Sequence, residues 1–278
     1  MSDTAIPLAG VIGLPIGHSR SPALHRHWLR QLGLPGHYVP MAVQQEHLAE
    51  VLQSMPKMGF VGCNVTIPHK EAALDLADSV TDRAALIGAA NTLTFRADGR
   101  LIADNTDGYG FLENLKHSVP HWRADSGPAV VFGAGGAARA VIVALLDAGA
   151  PEIRLTNRTK SRSEVLRKEF GGRLVVYDWV QAGNMLDDAM TVVNATSLGM
   201  TGRPEFRVPL DGLNPNAVVN DLVYSPLDTG FLQRAREVGC TTVDGLNMLI
   251  HQAAPGFERW FGMRPEIDET VRQVLLPR

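Results

Sequence analysis

Cysteine is scarce: Cys63 and Cys240 are the only two in 278 residues, too few for a disulfide framework in a chain this size, and both read as small buried hydrophobes. An excess of charge of one sign is also missing. With 26 Lys and Arg against 29 Asp and Glu, the formal charge of −3 leaves no electrostatic footprint for nucleic acid or an anionic membrane. No uninterrupted apolar run approaches the ~20 residues of a membrane span, and the opening MSDTAIPLAG has neither a basic stretch nor a long apolar core. A cytoplasmic protein is expected, with no nucleic-acid or membrane partner. In that setting the N-x-T triplets at Asn64, Asn157 and Asn194 belong to chemistry or turns rather than to glycans. Apolar residues, in contrast, are plentiful at 45%, enough for one large or two medium domains with real cores.

A local absence is more informative. At 130–149 the chain reads VVFGAGGAARAVIVALLDAG, in which the apolar run Ala129–Phe132 predicts a buried strand, Gly133 and Gly135 a tight turn, and Ala138 takes the third glycine's place in GxGxxG. A helix follows, with Val141, Ala144, Leu145 and Ala148 at i, i+3, i+4 and i+7. Glycines there let backbone approach a pyrophosphate, whose charge the free N–H groups and the helix dipole stabilise. In an NAD site the second strand ends in an acid that accepts from the ribose 2′-hydroxyl. Here Asn157, Arg158, Thr159 and Arg162 follow the strand residues Ile153 and Leu155, and no acid stands from Arg154 to Ser163. Arginine is always charged and bidentate, so the 2′-phosphate of NADP is the expected ligand. Thr159 could also cap the next helix with the arginines merely solvated.

About 130 residues precede this loop, so a separate α/β region is expected first. It alternates a strand at residues 8–13, a helix at 21–33, a strand at 38–43, a helix at 46–57 and a strand at 60–66. A short helix from Lys70, a strand at 91–95 and a helix after Asp107 complete it. The polar stretch HSVPHWRADSGP at 117–128 reads as the passage to the nucleotide domain, which continues through strands at 174–177, 191–195 and 217–222. From Asp244 the chain turns helical, with Leu246, Leu249, Ile250, Ala253, Phe257, Trp260 and Phe261 on one stripe. Pro255 and Gly256 within that stripe predict a kink or a break.

Three loops of the leading region carry polar residues directly after apolar runs: PIGHSRSP at 15–22, NVTIPHK at 64–70 and NTDG at 105–108. Loops at strand carboxyl ends collect ligand sites in α/β sheets. Each has a plainer account. Ser21 before Pro22 suits an N-cap, Thr66 could end a strand, Asn91 could complete a turn, a lone Lys70 is ordinarily solvated, and Asp107 before Gly108 could cap a helix. Two hydroxyls, an amide, a lysine and an aspartate at strand ends beside a dinucleotide domain favour a dehydrogenase site instead.

At these residues the sequence resembles the shikimate dehydrogenase family, over nearly the whole chain. The strings GLPIGHSRSP, GCNVTIPHKEAA, IGAANTL, NTDGYGF, GAGGAARA, NRTKSR, NATSLGM, DLVYSPLDT and DGLNMLIHQA stand in the family's order. The resemblance implies reduction of 3-dehydroshikimate to shikimate with NADPH, a step of aromatic amino-acid biosynthesis. It further implies two domains: a discontinuous substrate domain at 1–106 and 245–278, and a Rossmann-like NADP domain, doubly wound, at 107–244. Monomer and homodimer stay open.

Carried over by position, Ser19 and Ser21 match the hydroxyls that hold the substrate carboxylate, with Tyr224 assisting. Thr66, Asn91, Asp107 and Gln252 match the groups that bond the ring hydroxyls, and Lys70 matches the proton-transferring lysine, with Asp107 as its partner. An ammonium can donate a proton to the alkoxide formed as hydride reaches a ketone. On the cofactor side Gly133, Ala134, Gly135, Gly136 and Ala137 match the pyrophosphate loop, and Asn157, Arg158, Thr159 and Arg162 the adenosine phosphate site. Thr196, Ser197, Met200, Leu222 and Gly245 match positions near ribose and nicotinamide, and no residue is assigned to a metal.

One departure is Asn247, where the family usually has glycine. Two alternatives remain: a quinate/shikimate dehydrogenase with relaxed substrate or NAD use, against which the NRT segment and the second serine of SRS argue, and a non-catalytic NADP-binding sensor, which would need neither Lys70 nor Asp107.

Overall fold

The computed structural model describes residues 6–276, which divide into two compact units. Of these residues, one unit comprises 6–107 and 249–276 and the other 108–248, so the divisions fall at the start of one helix and within another.

The first unit is built on a mixed six-stranded sheet: β1 (Leu8–Gly13), β2 (His37–Ala42), β3 (Gly62–Val65), β4 (Ser79–Val80), β5 (Thr92–Phe95) and β6 (Leu101–Asp104), in the order β2-β1-β3-β5-β6-β4. β5 runs antiparallel to both β3 and β6, while the other pairs are parallel. The carboxyl ends of β1, β3 and β6 and the amino end of β5 therefore share one edge. Helices α1 (Ser21–Gln31), α2 (Leu48–Ser54), α3 (Lys70–Asp75) and α4 (Asp82–Ile87) connect these strands, and α5 (Asp107–Ser118) leads away from β6.

The second unit holds a wholly parallel sheet of β7 (Ala129–Phe132), β8 (Ile153–Thr156), β9 (Leu174–Tyr177), β10 (Thr191–Asn194), β11 (Val218–Asp221) and β12 (Thr241–Val243), ordered β12-β11-β10-β7-β8-β9. This is the doubly wound order, with its switch point between β7 and β10. Helices α6 (Gly136–Asp147), α7 (Lys160–Phe170) and α8 (Gly230–Val238) cross between strands. β7, β10 and β11 are buried along their whole length, as parallel strands covered on both faces must be. Phe132, Phe206 and Phe231 cluster on one side, with centroids 4.9 Å apart for the first pair and 4.5 Å for the second. Each such ring stabilises the fold by about 2–3 kcal/mol when buried.

α9 (Leu246–Phe261) and α10 (Glu269–Leu275) end the described chain. α9 runs through Pro255 without the break that was one of the two outcomes expected there. Its neighbours hold it: Trp260 Nε1 donates to Leu93 O at 3.0 Å, and a Cβ on Gly256 would lie 3.0 Å from the Trp260 ring and 3.3 Å from the Thr92 methyl. Packing and hydrogen bonds on the buried face outweigh the bond lost to proline. Among the described residues no helix is long and apolar enough to cross a membrane.

Candidate active site

The shared edge of the first sheet gathers most of the polar residues singled out above. β1 ends at Gly13, where a Cβ would lie within 2.4 Å of the Thr66 methyl, so glycine lets the loops after β1 and β3 approach each other. In the loop after β1, Ser19 Oγ accepts from the Ser21 amide at 3.3 Å. The N-cap of α1 is Arg20, which makes no side-chain bond, so Ser21 is not the capping residue and its hydroxyl is left to other work.

Lys70 opens α3, and its Nζ donates to Asp107 Oδ2. Both side chains are largely enclosed, 13% and 6% exposed, so this is no ordinary surface pair. The other carboxylate oxygen accepts from Asn91 Nδ2 at 2.9 Å. Asn91 Nδ2 also lies 2.9 Å from Gln252 Oε1 and 2.9 Å from Thr106 Oγ1, which ties α9 to the ends of β5 and β6. Asp107 does not cap α5 with its own side chain; Asn105 Oδ1 accepts from the Asp107 amide at 2.9 Å, freeing the carboxylate for Lys70 and Asn91. Lys70, Asp107, Asn91 and Gln252 thus form one connected, nearly buried network.

Several buried polar residues of this edge were not assigned a role from sequence. Thr106 donates to Gln252 O at 2.8 Å, and Asn64 accepts from Tyr38 at 2.7 Å and donates to Asn91 O at 3.1 Å. The strings NTDG and NVT contain them, but nothing in a string separates a ligand-facing polar residue from one that orients it. Asp104 is a further case. Burial raises its pKa, but bonds from Thr81 and Arg259 more than offset this and hold it below the usual carboxylate range.

In the second unit the cofactor candidates occupy the loops after β7, β8, β10, β11 and β12, all carboxyl ends of parallel strands. Gly133 has φ +110°, and a Cβ there would lie 3.0 Å from Ala195 O, so only glycine fits. A Cβ on Gly135 would meet nothing within 4 Å, and the N-cap of α6 makes no side-chain bond to the first-turn amides. The loop therefore suits a pyrophosphate, with Ala134, Gly136 and Ala137 contributing backbone. After β8, Asn157 Nδ2 donates to Thr159 O at 2.9 Å, and Thr159 makes no side-chain cap on α7. Arg158 and Arg162 are exposed and, among the described residues, in no ion pair, while Lys160 is held by Asp178 at 2.9 Å. Two unengaged guanidinium groups beside a free threonine fit a phosphate dianion.

Thr196, by contrast, is occupied: its amide and hydroxyl both donate to Asn194 Oδ1, at 3.1 and 2.7 Å. Asn194 Nδ2 donates in turn to Asp221 Oδ1 at 2.9 Å, and Thr229 donates to Asp221 Oδ2 at 2.7 Å. Burial pushes the Asp221 carboxyl up to about 6. This network shapes the loops that carry Ser197, Met200 and Leu222. Gly245 packs on Leu222, where a Cβ would come within 2.2 Å of the Leu222 carbonyl oxygen. Tyr224, in the loop after β11, belongs to the second unit.

A doubly wound sheet with an open glycine loop at its switch point defines the class: an α/β protein with a dinucleotide-binding fold. Three family models match in chain order, described as the shikimate dehydrogenase substrate binding domain over residues 11–93, shikimate / quinate 5-dehydrogenase over 116–200, and the shikimate 5'-dehydrogenase C-terminal domain over 245–276. A shikimate dehydrogenase (NADP(+)) of Cereibacter sphaeroides is 68% identical over 273 residues, 98% of each chain. The structure resembles shikimate 5-dehydrogenase from Thermus thermophilus, solved with NADP(H) and shikimate, at TM-score 0.85 and 38% identity over 97% of this chain and 100% of that one. It also resembles quinate dehydrogenase from Corynebacterium glutamicum, solved with NAD, at TM-score 0.86 and 31% identity over 96% of each chain. The chain belongs to the shikimate dehydrogenase family.

Proposed function

We propose that this chain interconverts 3-dehydroshikimate and shikimate with NADP(H). The observation that carries the reading is the enclosed Lys70–Asp107 pair, cross-braced by Asn91 and Gln252 at one sheet edge. Bound at the second unit's loops, the nicotinamide supplies or accepts the hydride. Lys70 Nζ donates a proton to the carbonyl oxygen on reduction and takes it back on oxidation. Asp107 holds the ammonium in place, and with Asn91, Thr66 and Gln252 it bonds the ring hydroxyls. Ser19 and Ser21 hold the carboxylate, with Tyr224 assisting. Gly133, Ala134, Gly135, Gly136 and Ala137 cradle the pyrophosphate, while Asn157, Arg158, Thr159 and Arg162 bind the 2′-phosphate. Thr196, Ser197, Met200, Leu222 and Gly245 line the ribose and nicotinamide. The discontinuous first unit then serves the substrate and the second the cofactor, in cytoplasm.

A second reading, quinate oxidation with NAD, is favoured by the likeness to the quinate dehydrogenase. The acid-free segment after β8 and the free Arg158 and Arg162 weigh against it, since NAD's ribose hydroxyls call for a carboxylate. Turnover by the purified chain, with each substrate and each cofactor, tests both.

A further inference from the structure

We propose that Arg259 and Asp104 are a positioning pair that holds Gln252 in register with Asn91 and Asp107, and so sets affinity for the substrate's ring hydroxyls. The proposal rests on the functional reading above. Neither residue is among those that bond the substrate in that reading.

Asp104 ends β6, three residues before Asp107. Its Oδ1 accepts from the Thr81 hydroxyl at 2.7 Å and from the Asn105 amide at 2.8 Å, and its Oδ2 accepts from Arg259. Thr81 is itself engaged at the N-cap of α4, accepting from the Ala84 amide at 3.2 Å. One carboxylate thus joins the end of β6, the start of α4 and the far part of α9. Arg259 lies seven residues after Gln252, two turns along α9, and therefore on the same face. The segment 104–106 meets that face twice, through Asp104 to Arg259 and through Thr106 to Gln252 O at 2.8 Å. These two contacts, two turns apart, act with the Trp260–Leu93 bond to fix the rotation and the slide of the helix, and the Arg259 contact is the one that ties its far part to β6.

Register matters because of Asn91. Its Nδ2 has two protons and three acceptors at 2.9 Å: Thr106 Oγ1, Asp107 Oδ1 and Gln252 Oε1. A small displacement of α9 changes which acceptors are served. That alters how Asp107 and Gln252 are presented to a ligand, while the Lys70–Asp107 contact persists. Exposed ion pairs are usually worth little, but the Asp104 side chain is only 9% exposed, and removing Arg259 strands a nearly buried carboxylate with the two other donors, Thr81 and the Asn105 amide.

The test compares Arg259→Met, Arg259→Lys, Asp104→Asn and the Asp104→Asn/Arg259→Met double variant. Titration calorimetry of the full chain with shikimate and steady-state KM values for shikimate and NADP⁺ are the readouts. Arg259→Met and Asp104→Asn should each weaken shikimate binding about tenfold, the equivalent of one hydrogen bond, with the KM for NADP⁺ within about twofold of wild type. Lysine should restore most of the affinity. The double variant should be no worse than either single one, because the two residues act as a unit. Unchanged shikimate affinity in the folded methionine variant overturns the proposal alone. So does an equal loss for both ligands, or a lysine variant as weak as the methionine one. If the methionine variant does not fold, the lysine and asparagine variants decide by the same criteria. A wild-type chain that neither binds nor turns over shikimate overturns the functional reading and the pair's role with it.

Discussion

Lys70 and Asp107 are joined directly, Nζ to Oδ2, across 37 residues of sequence, and the second oxygen of Asp107 is already held by Asn91 at 2.9 Å. The carboxylate is thus immobilised from both sides, and the ammonium is fixed at a point. A fixed donor adds little to ground-state binding and a great deal to proton transfer.

Lys70→Ala should therefore lower kcat by about 10²–10⁴-fold with little change in the KM for shikimate. Steady-state kinetics check this. A large rise in KM with normal kcat would make Lys70 a binding residue only.

Arg158→Ala should weaken NADP⁺ selectively. Arg158 is exposed and in no ion pair among the described residues, so its removal breaks no ion pair of the chain, and on the proposed reading the loss falls on the 2′-phosphate. The ratio of kcat/KM for NADP⁺ to that for NAD⁺ should fall about tenfold or more. An equal loss for both cofactors would contradict the 2′-phosphate role.

Two buried groups give stability opposite pH slopes. Burial lowers His25, which stacks on Tyr38 at 3.8 Å and whose two ring nitrogens have no partner, to about 3 from 6.5. Its folded pKa is depressed, so the folded state binds fewer protons, and stability present above 6.5 is lost as pH falls toward 3. Between pH 7 and pH 5 the loss is about 2 kcal/mol, and His25→Phe should abolish it.

Burial raises Asp221 to about 6 from 3.8, so the folded state binds more protons. The associated stability is fully present below 3.8 and lost as pH rises through 6. Relative to Asp221→Asn, wild type should lose about 2 kcal/mol between pH 4 and pH 7. Urea denaturation of wild type and the two variants across pH 4–7 separates the contributions. Parallel profiles for wild type and variant would show that the residue does not titrate as described.

Much of this was legible in sequence because it is local. The glycine loop lies between an apolar run and a periodic helix, and β7 and α6 form there. Ser19, Thr66, Lys70 and Asp107 follow apolar runs, and their loops do sit at strand ends on one sheet edge. Other elements left no pattern. β4 has two residues and α4 six, too short for any periodicity to register. Pro255 argued for a kink or a break, and burial of α9 keeps the helix continuous there. Ser21 before Pro22 looked like a cap, yet Ser21 is the first residue of α1 and Arg20 stands at the N-cap. The contact of Arg259 with Asp104 spans 155 residues, and His25 is one histidine on an amphipathic helix; only the fold reveals what surrounds either.

A single crossed assay decides the activity: initial rates for shikimate and quinate, each with NADP⁺ and NAD⁺, on the purified chain. Shikimate with NADP⁺ should give the highest kcat/KM by at least about tenfold, as recognition of the 2′-phosphate by Arg158 and Arg162 would require. Dominant quinate turnover with NAD⁺ would contradict it in favour of the second reading, and no turnover in any combination would contradict the enzyme assignment altogether.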